Sequence, residues 1–175
     1  MRARTVIIVA VVGFALHRAL PALAGGQIVL TTSTERLTRA QARTLAENLD
    51  RAHFGGWFTD PRHNIAHVVK IWQHESGLKP DALNSADPTG AWGIGQVLAS
   101  TAGQFGVTDP TELMNPSVGA RTSMEYLRWS WSEFTRQAGR EPTLQEWISS
   151  YNRGVAGTIR NGVGVAYVAS VLSRI

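Results

Sequence analysis

The chain of 175 residues contains no cysteine. That absence excludes disulfides, thiolate metal sites, cysteine nucleophiles and a lipid-modified cysteine anchor. Charge is also sparse, at 17% of residues against 43% hydrophobic. Those proportions suit one globular domain with a real core. There is almost no strand signal, no internal repeat and no low-complexity tract. His63 and His67 stand four apart and His74 follows, but no glutamate-bracketed zinc motif accompanies them. Gly90, Gly93 and Gly95 lack the following Lys-Ser/Thr of a phosphate loop. No metal and no cofactor is expected.

One long apolar run is present, from Val6 to Leu16. Arg2 and Arg4 precede it, and Pro21-Ala22-Leu23-Ala24 follows it. Residues 1–24 therefore read as a secretory signal with an Ala-x-Ala cleavage site. The run is too short to span a bilayer alone. Cleavage would leave the remainder periplasmic or secreted. An uncleaved leader would instead tether it to the inner membrane, facing the periplasm. The same segment explains the sequence pI of about 10.1. It holds three of the 17 basic residues and none of the 13 acids, so 14 bases face 13 acids elsewhere. A net charge that small gives no general footprint for nucleic acid.

Residues 25–59 read as a lead-in and a helix from about Leu37 to Ala52, broken at Phe54-Gly55-Gly56-Trp57. A domain over 60–175 follows. Asp60-Pro61 should start its first helix, with aspartate capping and proline in the first turn. Residues 77–95 hold four glycines and two prolines, and should form one long loop. A short helix is expected over Gln96–Gln104. Asn115-Pro116 should open a long helix with Ala120, Met124, Leu127, Trp131 and Phe134 along one stripe. Thr143 and Glu146 form a capping-box pattern, and the helix they open aligns Leu144, Trp147, Ile148 and Tyr151. A last helix is expected from about Val165 to Leu172.

Glu75 is the most informative residue. Ile65, Val68, Ile71 and Trp72 share one helix face, and Glu75 continues it. Gly77 suits the left-handed cap position and Pro80 stops any continuation. A carboxyl group then points inward from a helix C-terminus. Desolvation and the negative end of the helix dipole both raise its pKa. A glutamate kept protonated near neutral pH is what a general acid needs. The competing reading rotates Glu75 into solvent or pairs it with an arginine. Asp81 and Asp87 are the acids in the following loop. Each also reads as a turn residue beside a proline.

Three ordered segments accompany this helix end. They are Glu75-Ser76 with Pro80 shortly after, Gly90-Ala91-Trp92-Gly93-Ile94-Gly95-Gln96, and Ser150-Tyr151-Asn152-Arg153-Gly154. Together they resemble the soluble-type lytic transglycosylase domain of the goose-lysozyme-like superfamily, over about residues 60–172. The resemblance implies a mainly α, lysozyme-like single domain with a long loop-rich substrate cleft and little or no β structure. It implies cleavage of the bond between N-acetylmuramic acid and N-acetylglucosamine in peptidoglycan glycan strands. One glutamate, Glu75, would act first as acid and then as base on the muramyl 6-hydroxyl. That gives a 1,6-anhydro product.

The same resemblance assigns the flanking residues. Ser76 would be the partner of the glutamate, with helix capping as its alternative. Gln96 would line the cleft, and the Tyr151 hydroxyl would approach the glutamate. Asn152 would join Tyr151 at the site, or serve turn chemistry before Gly154. Asn84 or Ser85 stands where the family often has serine. Trp92, flanked by glycines, would stack on a sugar ring. Trp57 is a weaker sugar-stacking candidate, while Trp72, Trp131 and Trp147 read as core. The sequence departs from the pattern at Gly95, where a methionine is usual, at Ser150 in place of alanine, and in a longer loop before Gly90. A hydrolytic lysozyme, a non-catalytic glycan-binding module and a structural component of an envelope-crossing machine or virion are the competing functions.

Overall fold

A computed structural model describes residues 35–84 and 90–174. Residues 1–34, on which the expected leader and lead-in fall, and Ser85 and Asp87 lie outside the described residues. The elements in chain order are α1 (Arg39–Leu49), α2 (Ile65–Glu75), β1 (Leu83–Asn84), β2 (Ala91–Trp92), β3 (Val97–Leu98), α3 (Ala99–Gln104), α4 (Pro116–Ala138), α5 (Leu144–Arg153), α6 (Val155–Asn161) and α7 (Val165–Leu172). The chain is mainly α, as its sequence implies. The three two-residue strands form one antiparallel sheet in the order β1-β2-β3.

Local chemistry explains most helix ends. Thr38 and Gln41 form a reciprocal capping box at the start of α1, and Thr143 with Glu146 does the same for α5. The Asn115 side chain accepts from the backbone N–H groups of Ser117 and Val118, and Pro116 fills the first turn of α4. The periodic stripe of α4 is buried as expected: Ala120, Met124, Leu127, Trp131 and Phe134. Ala120, Met124, Leu127 and Trp131 meet Trp147 and Ile148 of α5 and the buried faces of α1 and α2 in one cluster. Each large side chain enclosed there contributes roughly 1.5–3 kcal/mol. A smaller cluster of Val97, Ala102, Val107 and Leu113 lies beneath the sheet.

Several boundaries differ from the sequence expectation. Asp60-Pro61 does not start α2. The Asp60 carboxylate caps a separate 3-10 turn at Pro61–His63, and Asn64 caps α2 by accepting from His67 N–H at 3.2 Å. Proline fits a tight 3-10 turn as well as an α-helix start, so the dipeptide alone could not choose. The long loop is shorter than expected, because it is interrupted by the strands. Gln96 lies in a turn before β3, and the short helix begins at Ala99. Helix α6 has no counterpart in the sequence reading.

Trp57 is partly buried against the main core cluster. It stacks on His63 at 3.6 Å between ring centroids and lies edge-on to Trp131 and Trp147. One face of its ring is thus occupied by His63. The stack also draws His63 into an aromatic cluster, away from His74, which packs against Tyr167 of α7.

Candidate active site

Helix α2 ends where its glycine signal places the end. Gly77 has a φ of 64°, and its N–H donates to the Gln73 carbonyl at 3.2 Å. A Cβ at Gly77 would also sit 2.5 Å from the Arg36 guanidinium. Conformation and space both call for glycine. The stop leaves Glu75 in the last turn, half-buried. Burial raises its pKa above the ordinary 4.5, and a hydrogen bond from Tyr167 opposes part of that rise.

Tyr167 supplies the direct contact. Its hydroxyl donates to Glu75 Oε1 at 2.5 Å. Burial, then the neighbouring Glu75 charge, pushes the phenol pKa far up, so Tyr167 stays a donor. The sequence reading did not single out Tyr167. The only signal was its position in an apolar helix, which reads as core.

Tyr151 holds the loop beside the carboxyl. Its hydroxyl donates to the Gly95 carbonyl at 2.6 Å. Because that proton is used, Ser123 must donate in the 2.9 Å contact between the Ser123 and Tyr151 hydroxyls. Ser123 in turn accepts from Trp72 Nε1 at 2.9 Å. A one-directional chain thus runs from α2 through α4 and α5 into the loop, with every member satisfied. The Gly95 approach is tight: a Cβ there would lie 2.6 Å from Ser123 Cβ and 2.8 Å from the Tyr151 hydroxyl. A methionine at this position does not fit this arrangement.

Ser76 ties the helix end to the same loop. Its hydroxyl donates to the Ile94 carbonyl at 2.8 Å and accepts from Lys79 N–H at 3.1 Å. Gln96 adopts a φ of 48°, a left-handed conformation rare outside glycine. Its Nε2 donates to the Ala82 and Gly93 carbonyls at 3.1 and 3.0 Å, which fastens the turn to the strand approach. Ser76, Gln96 and Tyr151 therefore fasten the loop at residues 93–96 to the end of α2, to Ala82 and to α5.

Residues 54–166 match the family model of the transglycosylase SLT domain. This chain belongs to that family. A solved structure, the 70 kDa soluble lytic transglycosylase from Escherichia coli, is similar at 18% identity with a TM-score of 0.48. The alignment covers 73% of this chain and 21% of that one, so the chain spans about a fifth of that protein's length. No curated protein gives a match.

The remaining candidates of this SLT domain are less central. Trp92 is half-buried in β2 and packs against the smaller cluster. Its indole N–H is buried over Gly90 without a hydrogen-bond partner among the described residues. Asn84 is exposed in β1, and Asn152 is exposed in the last turn of α5. Asp81 lies 3.5 Å from Lys79, which engages its carboxylate. Among the described residues, no group of three His, Asp or Glu side chains is arranged to hold a metal ion.

Proposed function

We propose that this SLT domain is a peptidoglycan lytic transglycosylase in which Glu75 is the general acid and then the general base. The observation that carries the reading is a half-buried carboxyl with a raised pKa, held by one phenol donor. In its protonated form Glu75 delivers a proton to the glycosidic oxygen between N-acetylmuramic acid and N-acetylglucosamine. The resulting carboxylate then accepts the proton of the muramyl 6-hydroxyl as that oxygen attacks the anomeric carbon. The attack is intramolecular, and proximity lets it compete with water. The product ends in 1,6-anhydromuramic acid, and the proton count on Glu75 is restored.

Tyr167 tunes and orients the acid. The Tyr151 chain and Ser76 fix the loop against which a glycan would lie. Asn84, Ser85, Trp92, Gln96 and Asn152 are proposed as the substrate-binding surroundings. The leader supports a periplasmic or secreted location, with membrane tethering if it is retained. A hydrolytic lysozyme would need a second carboxylate holding a water. Among the described loop acids, Asp81 lies 3.5 Å from the exposed Lys79 ammonium, and substituting Asp81 and Asp87 separates the two readings.

The test is mass spectrometry of muropeptides that the full chain releases from purified peptidoglycan. Products ending in 1,6-anhydromuramic acid are expected. Reducing ends would overturn the mechanism in favour of hydrolysis. Binding without release would favour a glycan-binding or scaffold role.

A further inference from the structure

A second site lies on the far side of α2. Ala66, Val69, Lys70 and Gln73 line a groove of about 260 Å3. Their spacing of three, one and three places them on one helix face. Glu75 follows Gln73 by two residues, roughly 200° around the helix, and so faces away from the groove. The two sites are back to back on one helix.

The groove is cationic. Arg39 and Arg43 of α1, Lys70 of α2 and Arg174 beyond α7 all line it, and among the described residues no acidic side chain does. Three of the four have neutral hydrogen-bond partners. Arg39 donates to the Gln73 side chain at 2.9 Å, and Lys70 to the Leu172 carbonyl at 3.0 Å. Arg174 lies 3.5 Å from His74 Nδ1, whose pKa is lowered by burial first and by the Arg174 charge second. Arg43 pairs with Glu47, which lies outside the groove. The Arg174 Nε is buried and has no hydrogen-bond partner among the described residues. A buried guanidinium nitrogen without a partner is costly, and a bound anion would satisfy it.

The lining narrows the choice of anion. Ala40, Ala66 and Val69 add apolar surface among the cations, with Ala40 and Ala66 exposed and Val69 buried. Inorganic phosphate or a polyphosphate chain would leave that surface uncovered. A nucleic acid would need a broad basic surface, which a chain balanced outside its leader does not offer. A short peptide with carboxylates and small aliphatic side chains matches both parts. Guanidinium forks pair with carboxylates in two parallel hydrogen bonds, while methyl groups cover the apolar surface.

We propose that this groove binds the carboxylate-bearing stem peptide of peptidoglycan, separately from the glycan handled at Glu75. The identity of the ligand rests on the proposed function, while the anionic-peptide chemistry rests on the groove. Because the sites face opposite ways, the peptide comes from a part of the mesh other than the bond being cut. The domain would hold one strand by its peptide while cleaving another.

The probe is the free stem tetrapeptide without sugars, L-alanyl-D-isoglutamyl-meso-diaminopimelyl-D-alanine, titrated calorimetrically into the full chain in detergent. Binding is expected, and Glu75→Gln should leave it unchanged. The Lys70→Gln, Arg174→Gln double variant should weaken it about tenfold or more. The exposed pair Arg39→Gln, Arg43→Gln should also weaken it and keeps the test valid if the first variant unfolds. A tetrapeptide with its carboxyls amidated should lose most of the affinity. Absence of binding, or equal binding of the amidated peptide, overturns the proposal. Displacement by equimolar inorganic phosphate would also overturn it, by showing a general anion site. Anhydro products without peptide binding would sink this inference alone. Peptide binding without anhydro products would sink the proposed function and leave the groove standing.

Discussion

The Tyr167 hydroxyl donates to Glu75 Oε1 at 2.5 Å, across 92 positions of sequence. This bond opposes the effect of burial on the carboxyl. Burial raises the Glu75 pKa, and the bond lowers it, because a donor favours the ionised form. Tyr167 therefore restrains the proton affinity that burial creates.

Removing the donor should shift the pH profile. In Tyr167→Phe the opposing contribution is gone, so the Glu75 pKa rises further. Activity that requires protonated Glu75 should persist to higher pH than in the wild type, at a lower maximum because orientation is lost. The pH dependence of kcat/KM checks this. An alkaline limb that stays in place or moves to lower pH would contradict the assigned role.

Glu75→Gln should abolish cleavage, by roughly 10³-fold or more if both proton-transfer roles lie on this residue. The amide is nearly isosteric and its carbonyl can still accept from Tyr167. Release of soluble muropeptides measures the loss, and circular dichroism checks that the fold is kept.

The same variant should be more stable than the wild type at neutral pH. The folded pKa of Glu75 is raised above its ordinary value of 4.5. Its stabilising contribution is thus full below 4.5 and is lost as pH rises through the folded pKa. Thermal melts across pH should show the advantage of the Glu75→Gln variant growing from acid to neutral. A constant difference would mean that desolvation does not govern this carboxyl.

Tyr151→Phe should act through the loop. It strips the donor from the Gly95 carbonyl and the acceptor from Ser123, leaving two polar groups to rearrange. The cost is about 1–3 kcal/mol, visible as a lower Tm with partial loss of activity. The chemistry itself should keep its pH profile, unlike in Tyr167→Phe.

Gly95→Ala should be severe for a packing reason. The added Cβ meets Ser123 and the Tyr151 hydroxyl within 3 Å, so the loop or its Ser123–Tyr151 support must shift. Gly103→Ala is the contrast. It lies in α3 with nothing within 4 Å of a new Cβ, so it should be neutral or stabilise by about 0.5–1 kcal/mol. Parallel Tm and activity measurements on the two variants separate contact from composition.

Local patterns were legible where the deciding contacts are local. The Asn115 cap, the Thr143–Glu146 box and the Gly77 stop each act within four residues, and each is found where the sequence places it. The stripe of α4 was legible because burial follows the helical period. Asp60-Pro61 misleads because the same cap chemistry opens either a 3-10 turn or an α-helix. The start of α3 falls later than Gln96 suggests. That residue's backbone is held left-handed by a turn whose hydrogen bonds reach back to Ala82, a contact no local pattern reports.

Helix periodicity and capping are short-range physics, so the order of residues alone dictates a mainly helical domain and places Glu75 in the last turn of α2, while its surroundings are decided by packing. Which hydroxyl meets that carboxyl is a matter of long-range packing. Tyr151 and Tyr167 both lie on apolar helix faces, and their roles divide according to how α5 and α7 pack on α2. The cationic groove behind α2 belongs to the same class. Its charges come from helix α1, from α2 and from the end of the chain, and only packing brings them together.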